Sequence, residues 1–371
     1  MNIVSSLDED TWRRFVEEHP ASNIFHTPEM FQVFANSKGH RPTLWAALGD
    51  AEQVLALLLP VQLTLRDGLA RRLTTRAVIY GSLLYQPGPA GEEALRVLLP
   101  RYARQARRAA LFTELRNLSD MSQAQPILDA CGFAYEDHLN YLINLERSVE
   151  QVLQSIGPRT RKQIRRGLKQ AAVTVEQVAD RSQIAACYAL LQTTYAAARI
   201  PLADRSLFEA AFDILYPRGM VKFWLARVGD TYVATSAELL YKGVMVGWYG
   251  GVDRSFADYM PGELLMWHIL AWGVQNGYRT YDFGGAGKPG EKYGVRDFKA
   301  KFGGELVCFG RNTCVHAPGW LRLSQLGYRV YRWLMGATPQ GRFLPATATA
   351  RQGGLLGAPH RREGGGPGCN G

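Results

Sequence analysis

The chain has 371 residues, of which 47% are hydrophobic and 11% aromatic, and it carries a formal charge of +10. That apolar content excludes a disordered chain, and five cysteines in so long a sequence exclude a disulfide-stapled miniprotein. The positive charge favours anionic partners, whether nucleic acid, phospholipid head groups or phosphorylated substrates, without choosing among them.

A first helix is predicted from Leu7 to Glu18, capped by Ser6 or Asp8, with Trp12, Phe15 and Val16 on its apolar face. Residues 43–48 and 53–63 read as a hairpin and 73–81 as a further strand. Residues 92–110 read as a helix with a basic face of Arg101, Arg104, Arg107 and Arg108. A strand over 111–116, a helix over 123–131 stopped by Gly132, and a strand over 139–145 complete this half. After Glu146 the plan starts again. Helices over 149–155 and 158–171, a strand over 173–178, and helices over 181–198 and 205–216 lead into a meander of 221–228, 231–241 and 244–250. A helix over 261–276, strands over 280–283 and 305–312, and a last helix over 320–334 follow.

The order of helices, antiparallel meander, helix and strand therefore occurs twice. The fold class is α+β, in two similar domains with mixed, mainly antiparallel sheets, residues 1–145 and 146–316. Residues 317–336 form a C-terminal helix, and the Gly/Pro/Arg-rich stretch 337–371 is expected to be disordered.

The cysteines, Cys131, Cys187, Cys308, Cys314 and Cys369, are scattered and lack CxxC spacing, which fits a reducing cytoplasm. The acidic start MNIVSSLDEDTWRRF is unlike a secretion leader, and no apolar run is long enough to span a bilayer. A cytoplasmic location is expected, with any membrane contact peripheral and at the inner face. No HxH or HExxH spacing and no GxSxG elbow is present, so no metal, cofactor or serine nucleophile is expected. His268 reads as a core histidine, and Trp248 and Tyr249 as residues of a core or a cleft wall.

Two constellations could carry chemistry. On the helix over 158–171, Arg161, Lys162, Arg165, Arg166 and Lys169 fall within an arc of roughly 140°. Ile164, Leu168 and Ala171 on the adjacent face would dock it. Like charges at i,i+4 weaken an isolated helix, and no acidic residue interrupts this run, so it suits either a multiply charged anion or a solvated face. The second stretch is YDFGGAGKPGEKYGVRDFKAKFGG, Tyr281 to Gly304. Asp282 ends a strand, and Gly284, Gly285, Gly287 and Gly290 allow close backbone approach. Tyr293, Phe298 and Phe302 then alternate with Lys292, Arg296, Lys299 and Lys301. Such a loop at a strand end is a site or a plain turn, and it is not a Walker loop.

The run SIGPRTRKQIRRGLKQAAVTVE, Ser155 to Glu176, resembles the basic helix-to-strand segment of the Fem aminoacyltransferases. The Tyr281–Gly304 stretch resembles their C-terminal signature, a glycine-rich turn followed by FKxxFGG, and the order of elements over residues 5–316 is also similar. The resemblance implies two tandem GNAT-like (acyl-CoA N-acyltransferase-like) domains with a cleft between them. It implies aminoacyl transfer from an aminoacyl-tRNA donor to an amine of a peptidoglycan precursor or related cell-envelope glycan, phosphorylated or lipid-linked. DNA is not an expected partner. On that reading Arg161, Lys162, Arg165 and Arg166 hold phosphates, and Tyr249, Gly284, Gly285, Lys292 and Tyr293 contact substrate. Lys299 stabilises the developing oxyanion, with Lys301 an alternative that faces the same side of an extended strand, and Asp282 orients the amine or takes its proton. Two other classes stay open. One is a coenzyme A-dependent N-acyltransferase acting on a polysaccharide or lipid amine, against which stands the helix start at Pro261-Gly262, lacking the GxG turn that holds the coenzyme pyrophosphate. The other is a non-catalytic basic binding module.

Overall fold

The computed structural model describes residues 1–64, 68 and 71–334, and the expected disordered tail, 337–371, lies outside them. The first half runs β1 (Asn2–Val4), α1 (Glu9–Glu18), α2 (Pro28–Ala35), β2 (His40–Pro42), β3 (Trp45–Leu48), β4 (Val54–Leu58), β5 (Pro60–Thr64) and α3 (Arg71–Thr74). It continues with β6 (Thr75–Tyr80), β7 (Leu84–Tyr85), α4 (Pro89–Ala106), β8 (Phe112–Arg116), α5 (Gln125–Ala130), β9 (Ala134–Glu136) and β10 (Leu139–Asn144). The second half has α6 (Val149–Ser155), α7 (Pro158–Gln170), β11 (Val173–Gln177), α8 (Ile184–Ala198), α9 (Arg205–Leu215), β12 (Val221–Val228), β13 (Thr231–Tyr241) and β14 (Val244–Val252). It ends with α10 (Pro261–Gln275), β15 (Thr280–Asp282), α11 (Gly294–Ala300), β16 (Glu305–Cys308), β17 (Arg311–Val315) and α12 (Pro318–Leu334).

Local sequence sets the helix starts. Asp8 accepts the Thr11 amide at the head of α1, and Thr27 accepts that of Met30 just before Pro28 opens α2. Ser148 and Gln151 close a reciprocal capping box on α6. The short α2, which the sequence reading passes over, packs on α9 of the other half. Helix α4 stops at Ala106, so Arg107 and Arg108 leave the basic face expected there.

The strands form a four-stranded sheet β1-β3-β4-β7, a six-stranded sheet β2-β5-β6-β8-β17-β9 and a seven-stranded sheet β11-β12-β13-β14-β15-β10-β16. Only β6–β8 and β14–β15 pair in parallel among the described residues. Two runs expected as single strands are each broken where the chain changes sheet. Residues 53–63 split at Leu59–Pro60 into β4 and β5, since proline opens a strand but cannot donate within a ladder. Residues 305–312 split into β16 and β17 at Gly310, whose φ of 69° turns the chain.

The two halves also exchange strands. β10, before residue 145, lies between β15 and β16 in the second half's sheet, and β17, from the end of the chain, lies between β8 and β9 in the first. On one side of the seven-stranded sheet α6, α7 and α10 bury Ile164, Leu264, Trp267, Tyr281 and Phe302. On the other, α8 and α9 share a core with α2 and with Val61 of the first half. At about 1.5–3 kcal/mol per fully buried large apolar side chain, a core made by both halves couples their stability. Lys242, in the β13–β14 turn, adds three hydrogen bonds across to Val16 O, His19 O and Ser22 Oγ.

Candidate active site at the parting of two strands

The parallel ladder of β14 and β15 runs only from Val244–Thr280 to Val246–Asp282. Beyond it β14 continues to Val252, while the chain after Asp282 bonds to β10 instead, Phe283 N donating to Tyr141 O at 3.1 Å. A bulge at Trp248, set between the Tyr249–Ala237 and Gly247–Glu238 pairs, turns β14 at the same level. The two strands therefore part, and the glycine turn lies at the opening.

Asp282 and Asn140 fold that turn. The buried Asp282 carboxylate accepts from Asn140 Nδ2 and from the Gly284 amide, both at 2.6 Å, and Asn140 Oδ1 accepts from the Gly285 amide at 2.9 Å. Gly284 and Gly285 have φ of 74° and 119°, and a Cβ on Gly284 would stand 2.9 Å from Gly247 O. Only glycine fits there. Burial raises the Asp282 pKa, opposed by these bonds and by Lys299. Its geometry is that of a turn-holder, and the proton-taking role has no contact of its own.

Residues 294–300 are helix α11, not an extended loop, and this separates the two lysines. Two positions on a helix differ by about 200°. Lys299 points inward, its ammonium donating to Phe283 O at 2.6 Å and to Gly285 O, above the Phe283 ring. Lys301 points out, paired with Glu263 at 3.1 Å. The expectation that they face the same side is corrected by the helix. Burial lowers the Lys299 pKa to about 8, with Asp282 and Glu238 opposing, so the side chain is still mostly charged at neutral pH. Two of its three donors are taken by carbonyls.

Glu238 was not singled out from sequence. It is fully buried in the middle of β13, accepting from Ser236 Oγ at 2.5 Å and from Tyr281 OH at 3.0 Å. Burial raises its pKa to about 7, while the two hydroxyls and Lys299 pull it down. Its only sequence signal is a lone acid in the apolar run ATSAELLY. Arg296, noted only as one of the cations, clamps the turn through Ala286 O at 2.7 Å and Lys288 O. Lys292 and Tyr293 lie exposed before α11, and Tyr293 touches Gly287. Tyr249 packs against Phe208 and Tyr195, and among the described residues it has no hydrogen bond or ring contact with Lys299. Two clefts of about 400 and 440 Å³, around Glu29 and around Arg279, are lined by neither Lys299, Asp282 nor Glu238.

The predicted basic helix starts beside this segment, Gly157 N donating to Lys301 O at 3.0 Å, but its cations do not join the cluster. Among the described residues no hydrogen bond or ion pair joins Arg161, Lys162, Arg165 or Arg166 to Lys299 or to the turn. Instead Arg161 donates to Gln154 O at 2.6 Å and Arg165 pairs with Glu150 at 2.9 Å, both on α6. The docking face is Thr160, Ile164 and Gly167 against α10, whereas Leu168 is 54% exposed and Ala171 is the left-handed cap. The spacing 160, 164, 167 follows the helix period, and a Cβ at Gly167 would meet the Leu264 side chain at 2.8 Å, so a larger residue there would have to displace it.

Residues 158–300 match the family model described as acetyltransferase (GNAT) domain. The structure of FemX aligns at a TM-score of 0.67 with 17% identity, covering 88% of this chain and 99% of that one. The chain has a FemX-like tandem GNAT fold. A tandem GNAT protein from the clavulanic acid biosynthesis pathway aligns at 0.56 with 12% identity, over 85% of this chain and 98% of that one. The C-terminal domain of a putative lysylphosphatidylglycerol synthetase from Agrobacterium fabrum aligns at 0.52 with 12% identity, over 86% and 94%. No curated protein matches the chain. The strand parting and the glycine turn both lie inside the segment that matches the acetyltransferase domain model. Among the described residues no helix is long and apolar enough to cross a membrane, and no group of three or more His, Cys, Asp or Glu is arranged to hold a metal ion.

Proposed function

We propose that the chain transfers an aminoacyl group from aminoacyl-tRNA to an amine of a phosphorylated or lipid-linked peptidoglycan precursor or related cell-envelope glycan. The observation that carries this reading is the inward-pointing, partly buried Lys299 ammonium held against the glycine turn by Phe283 O and Gly285 O. The amine attacks the ester carbonyl, an N–C bond forms, the ester C–O bond breaks, and the amine proton passes to the departing hydroxyl. Lys299 has one donor left for the oxyanion, in a partly buried site where a charge is felt more strongly than in open water. Asp282 and Asn140 keep the turn, and hence the lysine, in place. No covalent enzyme intermediate is needed when amine and ester are held together.

Coenzyme A is the weaker donor. The α10 N-terminus is set by Met260 in the left-handed region with no side-chain cap, and its first turn carries Glu263, whose carboxylate occupies the end that would attract a pyrophosphate. The test is a transfer assay of the full chain with charged tRNA or acetyl-coenzyme A as donor and a nucleotide-linked muropeptide as acceptor. Product from the tRNA arm, lost in Lys299→Ala, supports the proposal. Product from the coenzyme arm alone overturns it.

A further inference from the structure

The six-stranded sheet carries a charged cluster on the face turned toward the second half, and the transfer chemistry above does not use it. Register puts it together. Along β6 and β8, Val78 lies beside Glu114 and Tyr80 beside Arg116, and along β8 and β17, Arg116 lies beside Arg311. The two-residue alternation of a strand adds Arg76 to the same face. Arg116 Nε donates to Glu114 Oε1 at 2.6 Å, and Arg311 Nη1 reaches the same oxygen at 3.3 Å. Arg116 also stacks over Tyr80, 5.2 Å from the ring centre. The Arg76 side chain has neither a hydrogen bond nor an ion pair among the described residues, although it is only partly exposed.

Three guanidiniums thus surround one carboxylate, leaving two positive charges without a counter-charge. Burial lowers the Arg311 pKa to about 10 despite Glu114, and Arg116 and Arg76 push the same way. The Arg76 pKa is lowered by burial and by Arg116. Burial would raise the Glu114 pKa, but the three guanidiniums outweigh it and hold the carboxyl well below its ordinary range. The neighbouring Lys288 is neutralised by Glu136. His138, whose pKa burial lowers to about 3, is uncharged and adds nothing to the balance. His138 also links the cluster to the transfer site, with Nε2 3.3 Å from where a Cβ on Gly285 would stand. Gly285 O is one of the two carbonyls that hold Lys299.

Unpaired, partly desolvated cations of this kind are costly unless a ligand completes them. Guanidinium forks match oxyanions in two-point fashion, and a surplus of two charges is matched by a diphosphate better than by a single carboxylate. We infer that Arg76, Arg116 and Arg311 form an oxyanion subsite that seats a diphosphate group of the substrate beside the transfer site. This deepens the proposed function by saying which part of the substrate the first half grips, and it rests on that reading only for the substrate's identity.

The test is calorimetric titration of the full chain at constant ionic strength with sodium pyrophosphate, a nucleoside diphosphate, a prenyl diphosphate and N-acetyl-alanine. The wild type should bind pyrophosphate saturably. Arg76→Gln should weaken it at least tenfold, and Arg76→Lys, which keeps the charge without the fork, by less. Because the Arg76 side chain has no hydrogen bond or ion pair to lose, and repulsion from Arg116 offsets its attraction to Glu114, the unliganded thermal midpoint of Arg76→Gln should equal or exceed that of the wild type. Tighter binding of the nucleoside diphosphate marks a nucleotide-linked source, tighter binding of the prenyl diphosphate a lipid-linked one, and either supports the subsite. No saturable pyrophosphate binding, an unchanged affinity in a folded Arg76→Gln, or N-acetyl-alanine bound more tightly than pyrophosphate would each overturn it. Lys299→Ala should keep pyrophosphate affinity within twofold, so loss of the transfer reading and loss of the subsite are separate results.

Discussion

Two regions of this molecule are rich in arginine, and their charge does different work. On α7, Arg161, Lys162, Arg165 and Arg166 sit within six residues of sequence on an open surface, where two of them tie down to α6. In water two charges 4 Å apart interact by only about 1 kcal/mol, so this density costs and gains little. In the six-stranded sheet, Arg76, Arg116 and Arg311 come from three separate strands and meet around Glu114, largely removed from solvent. There each charge shifts its neighbours, and a ligand that completes the set is felt. Density along the chain marks a surface; convergence in the fold marks a site.

The sharpest version of this contrast lies within α11, and it carries the largest expected effect. Lys299→Ala removes an inward-pointing ammonium and should lower kcat by about 10²–10³, or roughly 3–4 kcal/mol of transition-state stabilisation. Lys301→Ala removes an exposed partner of Glu263 and should change kcat by less than about threefold, since exposed pairs are worth about 0–1 kcal/mol. Steady-state rates of the two variants decide it. Because the charged form of Lys299 acts, the wild-type rate should also fall as pH rises through about 8. Equal losses in both variants would break the contrast.

Next in size is Arg116→Gln. It strips Glu114 of its closest partner and leaves a carboxylate in a partly buried place with only Arg311 in reach. The expected loss is about 2–3 kcal/mol in urea unfolding, with Arg116→Lys recovering part of it. The contrast with Arg76→Gln, on the same face but without a partner, separates the holding arginine from the waiting one.

Glu238 tests burial without arginine. Its folded pKa of about 7 is raised above the ordinary 4.5, so its contribution is full below pH 4.5 and is lost as pH rises through 7. Glu238→Gln keeps a partner for Ser236 and Tyr281 but cannot ionise. Relative to the variant, the wild type should lose on the order of 2 kcal/mol between pH 4.5 and pH 7, read as the difference between their thermal or urea midpoints. A difference that does not change with pH would mean that Glu238 stays charged in the folded protein.

How much of this is legible in the sequence follows from which contacts are local. The repeated order of elements is visible because helix and strand periods are local, and so is the glycine turn with Asp282 and Lys299, because it lies in one stretch of 24 residues. The strand exchange is not visible, since β10 and β17 choose their sheets by long-range pairing. The breaks at Pro60 and Gly310 hide inside runs that read as continuous strands. Lys301 is misplaced in the sequence reading because an extended strand would put it on the side of Lys299 and a helix does not. Glu238 looks like a polar interruption until Tyr281, 43 positions later, donates to it. The arginine cluster has no sequence signature, because nothing in the linear order joins positions 76, 116 and 311.

The smallest expected effect concerns the most conspicuous sequence feature. Arg161→Gln with Arg165→Gln removes one bond to Gln154 O and one exposed pair with Glu150. Thr160, Ile164 and Gly167, which dock α7, are untouched, so stability should change by no more than about 0.5 kcal/mol. If the arginines of the six-stranded sheet hold the diphosphate, pyrophosphate affinity in this double variant should stay within twofold of wild type while Arg76→Gln loses tenfold or more. A loss of tenfold or more here, with Arg76→Gln unaffected, would return the phosphates to α7, as the sequence pattern first proposed. Salt dependence sharpens the choice, because binding to an open helical face should fall steeply with ionic strength, and binding in a partly buried cluster less so. Repeating the titration of the wild type at 0.05 and 0.3 M salt therefore distinguishes the two surfaces without any substitution.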